Sequence, residues 1–248
     1  MTACRQAIHG IAGAIVLCWA GTSAAYRPFD GTDADVAEPG EIELEIGPVG
    51  YHHQGSSRFI VAPALIANYG FAPDFEAVLE GRQYIPINAT EDTRQIQDVA
   101  LSVKSLLRHG SLQGGSGLSI AVENGLLLPG SESRLGIHVG SIFSLRWPAL
   151  TLHLNLGNDL YSARYDASVS LILEGPARWR IRPVAEILVE RAFGPGGFWE
   201  GFAESALLGG IGRWTDALSF DTGVRFGRAD GQREQEFRAG LTWAFAPW

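Results

Sequence analysis

Two cysteines, one methionine and one lysine are all that 248 residues hold of these three types. Both cysteines, Cys4 and Cys18, lie near the N-terminus. Past them the chain has no disulfide, no reactive thiol and no cysteine-zinc site. Lys104 is the single lysine, so the remaining fixed cations are arginines, and the net charge is -8. That balance excludes a basic nucleic-acid-binding surface, and no nucleic-acid partner is expected. The chain also lacks the series of apolar runs, about 20 residues each, that a bundle of membrane helices requires. At 46% apolar residues it is too hydrophobic to stay disordered. Glycine, by contrast, is abundant at 31 residues, which disfavours helices and suits strands joined by many turns.

The first 25 residues read as an export signal. Arg5 supplies the positive start, Ala7 to Ala20 the short apolar core, and Thr22, Ser23, Ala24 and Ala25 the small residues of a cleavage site. Cys18 follows Leu17, where a lipid-attachment signal would carry a small residue, so no lipid anchor is read. No cofactor is implied. Residues 26–40 form a turn-rich leader, and residues 41–248 carry the fold.

From Glu41 onward the sequence alternates with period two. Twelve strands are expected: Glu41–Gly47, Phe59–Phe71, Phe75–Tyr84, Gln97–Arg108, Gly117–Leu126, Leu135–Leu145, Ala149–Gly157, Ala163–Glu174, Arg178–Ala192, Gly201–Ile211, Ala217–Gly227 and Glu236–Phe245. In the fourth, Val99, Leu101, Val103 and Leu107 oppose Asp98, Ser102 and Lys104. In the eighth, Tyr165, Val169, Leu171 and Leu173 oppose Arg164, Asp166, Ser168 and Ser170.

A soluble β-sandwich would alternate too, but three features oppose it. The strands run to about ten residues, the length that crosses a bilayer when tilted. Tight turns such as Ala72-Pro73-Asp74 and Trp147-Pro148 alternate with longer links such as Ile85 to Ile96, the rhythm of short periplasmic turns and long outer loops. Aromatics sort by height. Phe71, Phe75, Trp147, Trp179, Trp214 and Trp243 sit by the tight turns, and Tyr165, Phe226, Phe237 and Phe59 by the other end. Two such girdles suit the two faces of a membrane. The expectation is an all-β, closed, antiparallel transmembrane barrel in a Gram-negative outer membrane. Both termini lie on the periplasmic side, and lipid compels closure because an open edge cannot be satisfied there.

The ending, Arg238-Ala239-Gly240-Leu241-Thr242-Trp243-Ala244-Phe245, resembles the assembly signal of outer-membrane barrels, implying the barrel-assembly machinery as a partner. It departs by the tail Ala246-Pro247-Trp248. The leader, Arg27 to Ala34 through Glu38-Pro39-Gly40-Glu41-Ile42-Glu43-Leu44-Glu45, resembles the opening of the MetA-pathway of phenol degradation family, and the turns Tyr69 to Asp74 and Arg213 to Asp216 fit it. That resemblance implies an outer-membrane barrel passing small, often aromatic, compounds.

Function then rests on inward side chains. Alternation assigns to the lumen Glu43, Glu45, Glu76, Glu80, Arg82, Asp98, Lys104, Arg164, Asp166, Arg178, Arg180, Arg182, Glu186, Glu190, Glu204, Asp221, Arg225 and Arg238. They read either as the selective lining of a passive channel for small-molecule solutes, hydrophobic or aromatic ones included, or as an ion-pair network filling a structural barrel. Strand nine is expected to line the pore with Arg178, Arg180 and Arg182. Glu174 would face Arg178, and Ser170 would face Arg182, leaving Arg180 and Arg182 under-compensated. A two-residue turn at Trp214-Thr215 would pair Ile211 with Leu218 and Leu207 with Thr222 toward lipid, and set Glu204 opposite Arg225 inside. An outer-membrane lipid hydrolase is the third reading. It is disfavoured because Ser144, His138 and His153 point inward by parity and no Gly-x-Ser-x-Gly occurs past the signal.

Overall fold

A computed structural model describes residues 27–87, 94–130, 135–194 and 199–247; the export segment 1–25 lies outside them. The strands are β1 (Ile42–Gln54), β2 (Ser57–Ala72), β3 (Phe75–Pro86), β4 (Gln95–Arg108), β5 (Ser119–Leu127), β6 (Gly136–Arg146), β7 (Thr151–Tyr161), β8 (Arg164–Glu174), β9 (Ile181–Phe193), β10 (Trp199–Arg213), β11 (Leu218–Ala229) and β12 (Gln232–Phe245). Each pairs antiparallel with its sequence neighbours, and β1 pairs with β12 to close the barrel. All twelve expected strands are present.

The side chains sort by face as the alternation requires. Leu79, Leu101, Val139, Leu171 and Ile187 stand on the outside, exposed. A water-soluble barrel would not leave so continuous an apolar face uncovered; lipid is the solvent that suits it. Phe71, Phe75, Trp147, Trp179, Trp214 and Trp243 all lie exposed near the end where β1 begins and β12 finishes, and Tyr165, Phe226 and Phe237 are exposed toward the other.

Phe59 departs from that girdle. Register shifts between Ile46 and Val49 in β1 and between Val61 and Ala64 in β2 add residues side by side, so alternation changes phase above them. Phe59 therefore pairs with His52, which pairs with the inward Glu236, and its ring packs edge-on against Tyr84. The connections depart as well. At the end opposite the start of β1, Gly55-Ser56, Ser162-Ala163 and Asp230-Gly231 are two-residue hairpins, because their strands run further than the alternation indicated. Positive φ at Gly55, Asp230 and Gly231 suits such tight turns.

Two local expectations are corrected. Strand β9 begins at Ile181, so Arg178 and Arg180 lie in the exposed turn after β8. Pro176 and the Trp179 N–H bonding back to the Pro176 carbonyl hold that turn. Arg180 lies over the Trp214 ring at 5.6 Å, outside the pore. The β10–β11 register also differs. The last pair is Arg213 with Ser219, so the turn spans Trp214 to Leu218 rather than two residues. Ile211 pairs with Asp221 and Leu207 with Arg225, and both apolar side chains are buried inside. Glu204 falls on the opposite face from Arg225, and is exposed.

Candidate functional site

The leader is inside the barrel. It enters at Gly40, whose N–H donates to the Gly70 carbonyl of β2 at 2.7 Å, and follows the inner wall. The Ala37 N–H donates to Glu76 on β3 at 2.7 Å. Asp33 lies 3.7 Å from Lys104 on β4. The Ala34 N–H donates to Ser144 on β6 at 2.9 Å, and the Thr32 N–H to Asn155 on β7 at 3.0 Å. The Gly31 N–H donates to Glu186 on β9 at 2.9 Å. Asp30 meets Arg225 on β11 and Arg238 on β12. The Arg27 N–H donates to Glu45 on β1 at 2.9 Å, completing the circuit. The fourteen residues 27–40, which turn at both ends and bend at Asp30, Gly31 and Ala34, can reach at most roughly 45 Å at about 3.3 Å each. That is the circumference of a lumen about 14 Å across, the width left inside twelve strands.

This belt holds because the wall supplies partners for a backbone that has no strand neighbour. Buried peptide N–H groups need acceptors, and Glu76, Ser144, Asn155, Glu186 and Glu45 provide them. Close approach needs glycine on the wall. A Cβ on Gly70 would sit 2.2 Å from the Glu38 carbonyl oxygen, and one on Gly240 2.4 Å from the Arg27 guanidinium. Phe29 fills an apolar seat formed by the inward Ile172, Val184, Leu207 and Ile211. That seat explains why Leu207 and Ile211 face inward. The longer turn after β4 folds up beneath the belt. Leu112 packs with Ala34, Ala121 and Ile142, and Gln113 Nε2 donates to the Ala34 carbonyl at 3.0 Å.

Above the belt a cavity of about 540 Å³ opens toward the hairpin end of the barrel, with Phe29, Asp30, Gly31 and Thr32 in its floor. Its wall carries both signs of charge. Glu80, Asp98, Glu123, Asp159, Asp166 and Glu190 share it with Arg82, Lys104, Arg164, Arg225 and Arg238. Three guanidiniums meet at the floor on one carboxylate. Asp30 lies 3.0 Å from Arg82 Nη2, 2.9 Å from Arg225 Nη2 and 2.6 Å from Arg238 Nη1. Burial alone would raise this carboxyl, but Arg225, Arg238 and Arg82 outweigh it and hold it well below the usual carboxylate range.

The structure thus distributes the residues the alternation assigned to the lumen. Glu43, Glu45, Glu76, Lys104, Glu186, Asp221, Arg225 and Arg238 are buried inside. Glu80, Arg82, Asp98, Arg164, Asp166 and Glu190 line the cavity. Arg182 is inside but bonded to Glu174 at 3.2 Å, so it is compensated rather than free to attract anions. Arg178, Arg180 and Glu204 are not in the lumen, for the reasons of turn and register given above. Alternation missed Asp30, Asp33 and Arg27, which lie before the first strand. It also missed Glu236, which grips Arg238 through both oxygens at 2.8 and 2.7 Å.

Ser144, His153 and Glu174 also come together, with Ser144 Oγ 2.7 Å from His153 Nδ1 and His153 Nε2 3.7 Å from Glu174. Ser144 and His153 are 0% and 2% exposed, and the serine oxygen already accepts the Ala34 N–H. The cluster anchors the belt and leaves no room for a substrate.

No protein family matches the chain by sequence, and no curated protein does. Solved structures do match in fold. The COG4313 outer membrane channel from Pseudomonas putida F1 superposes with a TM-score of 0.66 at 10% identity, over 88% of this chain and 100% of that one. A NanC porin gives 0.56 at 10% identity over 82% and 98%. A KdgM porin gives 0.54 at 13% identity over 82% and 99%. The chain shares the fold of these twelve-stranded outer-membrane barrels.

Proposed function

We propose that the chain is a narrow outer-membrane channel for small solutes, passive in mechanism and restricted by its own leader. The carrying observation is the cavity of about 540 Å³ with charges of both signs on its wall and the leader as its floor. A purely structural barrel would gain nothing from so large a polar void, since each buried charge costs free energy unless paired. The fold shared with proteins described as channels and porins supports the reading. The leader and turn motifs resembling the MetA-pathway of phenol degradation family favour hydrophobic or aromatic solutes. The strand Gln232–Phe245, with Trp243 stacked on Phe245 at 4.4 Å, is offered to the barrel-assembly machinery as its signal.

Single-channel recording of the refolded protein, with reversal potentials under a salt gradient, tests this. Small, resolvable unit currents are expected. A silent bilayer, both for the native chain and for one whose belt is loosened, would favour the filled structural barrel.

A further inference from the structure

Phe29 and Asp30 are consecutive, and together they present an apolar ring and a carboxylate to two matched sites on the wall. The ring lies among Ile172, Val184, Leu207 and Ile211. The carboxylate lies on Arg82, Arg225 and Arg238 at 3.0 Å or less. Both sites belong to the barrel; the three arginines line the cavity directly, and the apolar seat lies behind Phe29, which is part of the cavity floor. The carboxylate is still reached from the cavity, since the Asp30 side chain keeps 23% of its exposure.

Each arginine also has a carboxylate of its own: Arg225 meets Glu186, Arg238 meets Glu236, and Arg82 meets the half-exposed Asp98 at 3.8 Å. Among the described residues, Asp30 is the one anion that all three share. Planar guanidiniums converging on one point suit a carboxylate, which accepts several charge-assisted hydrogen bonds at once. An apolar seat one residue away adds the hydrophobic half.

We infer that this leader step stands in for a solute, and that the floor of the cavity takes a small monocarboxylate bearing an aromatic-sized apolar body. Its carboxylate replaces that of Asp30 on Arg82, Arg225 and Arg238, and its body replaces Phe29 in the apolar seat. The leader, losing both anchors, leaves the wall, so the solute opens its own path. The gating half of this inference rests on the channel reading, whereas the binding half stands on the site alone.

Binding is measured by titration calorimetry on the full chain in detergent, with 3-phenylpropionate as probe and neutral 3-phenylpropanamide as its control. Native protein should bind the carboxylate at least about tenfold tighter than the amide. Asp30→Asn should tighten the carboxylate a further tenfold or so, because the internal competitor is gone. Equal binding of acid and amide, no binding of either, or unchanged affinity in Asp30→Asn would overturn the inference. If Asp30→Asn does not assemble, the native acid-to-amide ratio decides alone. Unit conductance recorded on the same samples separates the two readings. Binding without any current refutes the channel, whereas current without acid-selective binding refutes the site.

Discussion

Arg238 Nη1 holds Asp30 Oδ1 at 2.6 Å, joining the leader to the last strand across 208 positions of sequence. The contact is also the point where Arg82 and Arg225 converge, so one carboxylate ties the leader to three strands. Breaking a largely buried ion pair from one side costs about 3–5 kcal/mol, and partial exposure reduces it here to roughly 2–4.

Asp30→Asn should therefore loosen the belt without unmaking the barrel. Amide exchange at Gly31, Thr32 and Ala34, whose N–H groups all bond to wall side chains, should accelerate about 30- to 700-fold. Exchange at the β6–β7 ladder should stay as it was. Unchanged leader protection would show that the arginine cluster does not hold the belt.

Phe29→Ala removes the ring from its apolar seat and should weaken docking by about 3–4 kcal/mol, transfer and cavity effects together. The same leader amides report it. A loss confined to heat resistance of the barrel, with leader protection intact, would mean that Phe29 supports the wall rather than the belt.

Acid should act late. Because three arginines depress the Asp30 carboxyl, its contribution is complete above the ordinary aspartate value near 3.9 and is lost only as pH falls through the lower folded value. Leader protection, corrected for intrinsic exchange, should hold from pH 7 to about 4.5 and drop in stronger acid. A drop between pH 7 and 5 that Asp30→Asn abolishes would contradict the sign of the shift.

Ion selectivity should depend on the cavity arginines and not on the turn. Arg82→Gln should move the reversal potential toward cations, since Arg82 lines the cavity. Arg180→Gln should leave it in place, since Arg180 stacks on Trp214 outside the pore. The opposite pattern would place the filter at the β8–β9 turn.

Strands were legible wherever one face is apolar and the other is not. In β4 and β8 the alternation of Leu101 with Ser102, or Leu171 with Ser170, leaves one phase only. In β10 the run Ala206-Leu207-Leu208 puts apolar residues on both faces, so the phase was open. Assigning Glu204 inward then misplaced the strand. Leu207 and Ile211 read as lipid contacts because nothing local reveals that Phe29 covers them. Arg178 and Arg180 continued the alternation of β9 through a turn, where period two has no meaning. The belt was the least legible part. Its partners lie up to 212 positions away, as with Arg27 and the Ala239 carbonyl, and irregular backbone held by side chains leaves no periodic trace.

On the proposed channel function, the leader and not the strand count sets the width of the pore. Unit conductance of the native chain is compared with that of the Phe29→Ala, Asp30→Asn double variant, both refolded at full length. Conductance should rise roughly threefold or more as the belt leaves a lumen about 14 Å across. Equal conductance in the two proteins, with leader amides shown to be unprotected in the variant, would mean that the belt does not narrow the pore.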